Sequence, residues 1–179
     1  MKVARQVSRA TSLPRAPAND DPPWHGVPTA IARRLHQICV AKTAEVVGKA
    51  GLTPLQYGVL IHLSKVTGKP GIEQTSLAER LNIDRNTASL LVEQLAKKEL
   101  VERHVNGDDR RARLLNLTPK GEKLYAQLRP AHLAANERIL APIAPRERAL
   151  LIGLLIRVIE ANLSQEDGGS RGRSRRPRQ

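Results

Sequence analysis

Two short stretches of this chain carry side chains whose types and spacing suit recognition of a polyanion. In "DRNTAS", residues 84 to 89, an aspartate precedes Arg85, Asn86, Thr87 and Ser89. With Asp84 as the cap of a helix, these polar groups gather at its N-terminus, where open N–H groups and the helix dipole favour phosphate. Arg85 there can pair bidentately with guanine and Asn86 with adenine, while Glu93 and Gln94, a turn later, can read cytosine or adenine or stay solvated. In "NGDDRRARLLNLT", residues 106 to 118, two aspartates and three arginines stand between a turn signal and an apolar alternation. Asn106-Gly107 suits the positive torsions of a tight hairpin turn. Arg110, Arg111 and Arg113 therefore sit on a tip that cannot be buried, which is either solvated or reaches for phosphates and a narrow minor groove.

Other chemistry finds little support. His25, His36, His62, His104 and His132 show no metal-ligand spacing, and no Gly-rich phosphate loop or nucleophile motif occurs, so neither an enzyme nor a metal or other cofactor is expected. The single cysteine, Cys39, excludes an intramolecular disulfide and suits a reducing cytoplasm. Its helical spacing with Ile31, Leu35 and Ile38 makes it a small core residue before a redox sensor, since no second cysteine can resolve a sulfenic acid. No apolar run approaches the ~20 residues of a membrane span, and the first residues hold no stretch of signal-peptide length. The cytoplasm is the expected location.

The net charge is +13, from 30 basic and 17 acidic residues in 179. Residues 1–23 contribute +2 of this and residues 164–179 contribute +3, which leaves +8 on the middle. The folded part is itself basic, as a partner of nucleic acid would be. Aromatics are 2% with no Phe, so the core must come from Leu, Ile, Val and Ala, a composition that favours helices.

These residues need elements to hold them. Residues 1–27 are polar and rich in Pro, Ala and Arg, and read as a flexible arm. From about Thr29 the apolar residues recur at helical spacing, giving a long helix that ends between Gly48 and Gly51. "LTPLQYGVLIHL" opens a second helix with Thr53 as N-cap and Pro54 at the first position, burying Leu55, Val59, Leu60 and Leu63. After a turn and a short strand at Ile72, a third helix follows, in which Ser76 and Glu79 have capping-box spacing. It breaks at Asn82-Ile83, and the Asp84-capped helix turns Ala88, Leu91, Val92 and Leu95 inward. Two helices joined by so tight a turn have the layout of a helix-turn-helix. "VERHV" and "RLLNL" then form a hairpin, with Val101, Arg103 and Val105 on one face. Thr118-Pro119 opens a helix interrupted or kinked at Pro130. The last helix carries Leu150, Leu151, Leu154, Leu155, Val158 and Ile159, an apolar strip too wide for a small monomer. Residues 164–179 read as a disordered basic tail.

From "LTPLQYGVL" through "DRRARLLNLTPKG" the chain resembles the MarR family of bacterial transcription regulators, and the flanking helices extend the resemblance over roughly residues 28–163. The expected fold is mainly α with a small β-hairpin: a winged helix-turn-helix DNA-binding domain, residues 52–117, and a helical dimerisation region, residues 28–51 and 118–163. The resemblance implies a homodimer on a pseudopalindromic operator, and a wing in which Asp109 orients Arg111. It also implies release of DNA by a small aromatic, phenolic or acyl-CoA ligand bound between the dimer helices and the winged helix. Arg33, Arg34, His36 and Tyr57 are the candidate ligand contacts, although Arg33 and Arg34 read slightly better as a solvated helix face. The alternatives are a nucleoid-type DNA- or RNA-binding protein that ignores sequence, and a redox-sensing regulator built on Cys39.

Overall fold

The computed structural model describes residues 22, 24–67, 70–105 and 113–170. Its elements are α1 (Pro28–Val47), a 3-10 turn (Gly48–Ala50), α2 (Pro54–Ser64), β1 (Ile72–Glu73), α3 (Gln74–Leu81), α4 (Arg85–Lys97), β2 (Val101–Val105), β3 (Arg113–Leu117), α5 (Pro119–Leu140) and α6 (Pro145–Ser170). The three strands form one antiparallel sheet in the order β1-β3-β2, with Ile72 opposite Leu115 and Val101 opposite Leu117.

One core joins the sheet to the helices: Val59, Leu60 and Leu63 of α2, Leu77 of α3, Leu91, Val92 and Leu95 of α4, and Ile72, Val101, Leu115 and Leu117 of the strands. The inward face expected of α4 is buried as read, Ala88 included. Both Thr-Pro openings hold: the Thr53 hydroxyl accepts from the Gln56 amide, and that of Thr118 from the Gly121 amide. Gln56 returns the favour by accepting from the Thr53 N–H, completing a capping box. α1 packs against α5 and reaches the core through buried Val47.

Several expectations need correction. Ser76 does not start α3, which begins at Gln74 straight out of β1 with Glu73 as N-cap and no side-chain cap; pairing of Ile72 with Leu115 fixes the chain before Ser76 is reached. Leu55 stays 37% exposed at the first turn of α2, and Gln56 takes the buried position because its amide is hydrogen-bonded on both sides. On β2 only Val101 is buried, Arg103 and Val105 being exposed, and the inward residues of the wing come from β3. α5 passes through Pro130 without interruption, the proline lying on an exposed face of a helix held by its packing on α1 and α2. α6 continues to Ser170, past the Leu163 at which the helical region was expected to end.

Candidate nucleic-acid interface

The approach to the recognition helix α4 is set by its break from α3. Asn82 takes a left-handed conformation (φ 50°), which Asn tolerates, and Ile83 N–H donates to the Ala78 carbonyl at 3.0 Å. Asp84 then caps α4: its Oδ1 accepts from the Asn86 and Thr87 amides, both at 2.9 Å, and its Oδ2 from the Thr87 hydroxyl at 2.6 Å. The Thr87 hydroxyl bond, followed by the Thr87 amide, holds the Asp84 carboxyl below its usual range, so the cap is an anion at neutral pH.

Of the residues expected to face a polyanion, Arg85, Asn86 and Ser89 are exposed on α4. Thr87 is half-buried with its proton committed to Asp84, so it serves the cap first. Gln94 is also engaged, its Oε1 accepting from Gln56 Nε2 at 2.8 Å, and Glu93 is tied to Lys97 at 2.7 Å. The exposed side of α4 therefore offers Arg85, Asn86, Ser89 and Leu90 uncommitted to other side chains, beside Glu93, Gln94 and Lys97, which are exposed but already have side-chain partners.

Beyond α4 the wing strands run alongside. Arg103 on β2 brings a guanidinium nitrogen within 3.5 Å of the Ser89 carbonyl, joining wing to recognition helix. The sequence pattern placed Arg103 only as part of an alternation, and its nearness to Glu93 and to the Ser89 carbonyl arises only when β2 packs beside α4. Arg113 is exposed at the start of β3, opposite Val105. Asn106, Gly107, Asp109, Arg110 and Arg111, the turn and its tip, lie outside the described residues.

The base of the wing is fastened to α5. Glu99, between α4 and β2, has φ 60°, and its carbonyl accepts from the Thr118 hydroxyl at 2.6 Å while its carboxylate meets Lys120 at 2.7 Å. Thr118 thus joins two elements besides capping one. Gly121 presses on the Leu100 carbonyl so closely that a Cβ would collide with it. On the other flank, Lys98 Nζ donates to the Gly51 carbonyl and to Gln56 Oε1, bracing the end of α4 against the turn after α1.

The candidate ligand contacts separate. Arg33 and Arg34 line a cleft of about 500 Å³ with Trp24, Ala30 and Gln37, and the Arg34 guanidinium carbon lies 5.1 Å from the centre of the Trp24 ring. His36 is exposed and is not among those lining residues. Tyr57 is 1% exposed, stacked edge-on against His132 with ring centres 5.0 Å apart. Burial pushes its phenol up to about 12, and its hydroxyl has no partner among the described residues. Tyr57 is therefore part of the core in the single chain, a placement that the resemblance behind its choice as a ligand contact did not indicate. Cys39 is half-buried and lines an apolar cleft of about 260 Å³ with Leu35, Ile139, Leu140, Leu151 and Leu155. No cluster of His, Cys, Asp or Glu that could hold a metal occurs among the described residues.

Residues 50–112 match the model of the MarR family. A putative transcriptional regulatory protein for the hcr operon of Thauera aromatica is 34% identical over 108 residues, 60% of this chain and 63% of that protein's length. The PcaV transcriptional regulator of Streptomyces coelicolor, solved with its natural ligand, is 31% identical and superposes with a TM-score of 0.66, covering 76% of this chain and 94% of that one. The transcriptional repressor CouR, solved on a 23-mer DNA duplex, is 25% identical with a TM-score of 0.67, covering 74% of this chain and 92% of that one.

Proposed function

The chain belongs to the MarR family of transcriptional regulators, and from that premise we propose that it is a homodimeric repressor released from its operator by a small anionic aromatic ligand. The observation that carries the reading is the open N-terminal face of α4, capped by Asp84 and flanked by the Arg103-bearing strand of a basic wing. The Arg85 and Asn86 side chains supply phosphate and base contacts, the amides of Asn86 and Thr87 being taken by Asp84, and Arg110 and Arg111 are assigned to the minor groove, with Asp109 orienting Arg111, as the resemblance to the family implies. The structure of CouR on a DNA duplex supports the polyanion as double-stranded DNA.

Dimerisation draws on the apolar surface that one copy leaves open. Leu150, Leu154, Val158 and Ile159 of α6 are 46–62% exposed, and Ile31 and Ile38 of α1 are also exposed. A second copy covering them sets two recognition helices about one DNA turn, ~34 Å, apart. For the ligand, the cleft beside Trp24 supplies two guanidinium groups for a carboxylate and an indole for a ring. PcaV, crystallised with its natural ligand, supports a ligand-responsive reading for this fold. Such a regulator works on DNA in the cytoplasm.

Full-length protein is tested against duplexes selected from a random pool and against unrelated DNA. Arg111→Ala is expected to lose roughly 1–3 kcal/mol of affinity for the selected duplex, and an aromatic carboxylate is expected to lower the affinity of the parent but not of Arg33→Ala/Arg34→Ala. Equal affinity for all duplexes, with a steep salt slope, is the result that would favour a nucleoid-type protein instead.

A further inference from the structure

Leu90 is the residue of α4 that neither the fold nor the proposed contacts use. It is 55% exposed and lies on the side of the helix opposite the buried row Ala88, Leu91, Val92 and Leu95. Asn86 precedes it by one turn on the same ridge, and Glu93 and Lys97 follow it. A leucine has nothing to offer a phosphate, and in water its exposure is a cost. The major groove presents one apolar group, the 5-methyl of thymine.

On the reading of α4 as the DNA-recognition helix, we propose that Leu90 packs against thymine methyl groups and makes thymine a required base one to two pairs from the adenine that Asn86 reads. Three observations bring the methyl to this residue. Residues four apart on a helix have Cβ atoms about 5–6 Å from each other, close to two base-pair steps of about 3.4 Å, so Asn86 and Leu90 address neighbouring pairs on one approach. The Glu93 carboxylate, the nearest anion on the ridge, is bound to Lys97 at 2.7 Å and held there rather than directed at DNA. Gln94, though exposed, has its Oε1 engaged by Gln56 Nε2, leaving Leu90 as the uncommitted exposed group at mid-helix. Asn86 and Leu90 together read an A·T-containing step, one by hydrogen bonds and the other by apolar contact.

The test uses full-length protein and a duplex selected by it from a random pool, in which each thymine is replaced in turn by deoxyuridine. That change removes the methyl and keeps the base pair. The parent protein is expected to bind about three- to fivefold more weakly at one or two positions, the worth of one buried methyl-sized group. Leu90→Ala is expected to weaken binding to the unmodified duplex by a similar factor and to be indifferent to deoxyuridine at those positions. Leu90→Met, which keeps an apolar tip, retains the discrimination. The slope of affinity against salt is unchanged throughout, because no phosphate contact is lost. Deoxyuridine effects that are absent from the parent, or equal in parent and Leu90→Ala, overturn the assignment while leaving sequence-specific binding intact. A parent protein that selects no sequence removes the DNA reading and this inference together. A change of oligomeric state in Leu90→Ala, seen by sedimentation, assigns the residue to a protein contact and also overturns it.

Discussion

Asp84 shows how a single carboxylate prepares a binding surface without touching the ligand. By accepting from two amides and a hydroxyl it orders the first turn of α4, on which Arg85 and Asn86 stand. Asp84→Ala is expected to lower the thermal midpoint and weaken DNA binding, whereas Asp84→Ser, which keeps a capping oxygen, recovers most of both; equal losses in the two variants would show that the negative charge, not the cap, matters. Thr53 plays the same part for α2, and Thr53→Ala is expected to cost about 1 kcal/mol in denaturant unfolding. At Glu99 the left-handed backbone disfavours any residue with a Cβ. Glu99→Gly is expected to raise the midpoint and Glu99→Ala to lower it, since the alanine loses the Lys120 pair and keeps the torsional strain. These positions were legible to different degrees. The Asp84 cap follows from spacing alone, while the Glu99 conformation depends on how β2 must turn to meet β3.

At the level of elements, the winged domain is held between two braces. The Lys98, Gly51 and Gln56 contacts fasten the end of α4 to the turn after α1 and to α2, and Gly121 against Leu100 fastens the wing to α5. A methyl group at Gly121 has backbone in its way, so Gly121→Ala is expected to destabilise the fold by about 2–3 kcal/mol and to displace the wing, read as a loss of DNA affinity beyond that of an equally destabilised variant. Two half-buried histidines, His62 beside Arg80 of α3 and His132 against Tyr57 of α2, also carry a pH dependence. Burial is the first cause that lowers both His62, on α2, and His132, on α5, below the ordinary 6.5. The folded chain binds these two protons less readily than the unfolded chain, so above pH 7 they contribute nothing, and as pH falls below 6.5 the unfolded state gains protons first and stability drops. Thermal midpoints measured from pH 8 to pH 5 are expected to decline through the lower half of that range, and His62→Gln together with His132→Gln to flatten the decline. The Asp84 cap and the Glu99 carboxylate paired with Lys120, both lowered, lose their contribution only at more acidic pH.

For the whole molecule, the defining fact is that the terminal helices expose what the winged domain buries. Leu154 and Val158 are 46% and 62% exposed on α6, and the proposed partner for them is another copy of the chain. Leu154→Glu with Val158→Glu is expected to give a monomer in sedimentation and to weaken operator binding by about 10²–10⁴-fold through loss of the second recognition helix; a stable dimer with these substitutions would place the interface elsewhere. Sequence by itself determined the order of the elements, the caps at Thr53, Asp84 and Thr118, the inward face of α4 and the basic character of the middle of the chain. Each of these is set by residue type and local period, which short-range physics fixes. Only the tertiary structure decided that Tyr57 is buried against His132, that Gln56 and Gln94 are hydrogen-bonded to each other, that Arg103 lies along α4, and that Leu90 is left outside. Those outcomes depend on which faces meet after the chain has folded, and a helical period gives the spacing of a face without naming what will cover it.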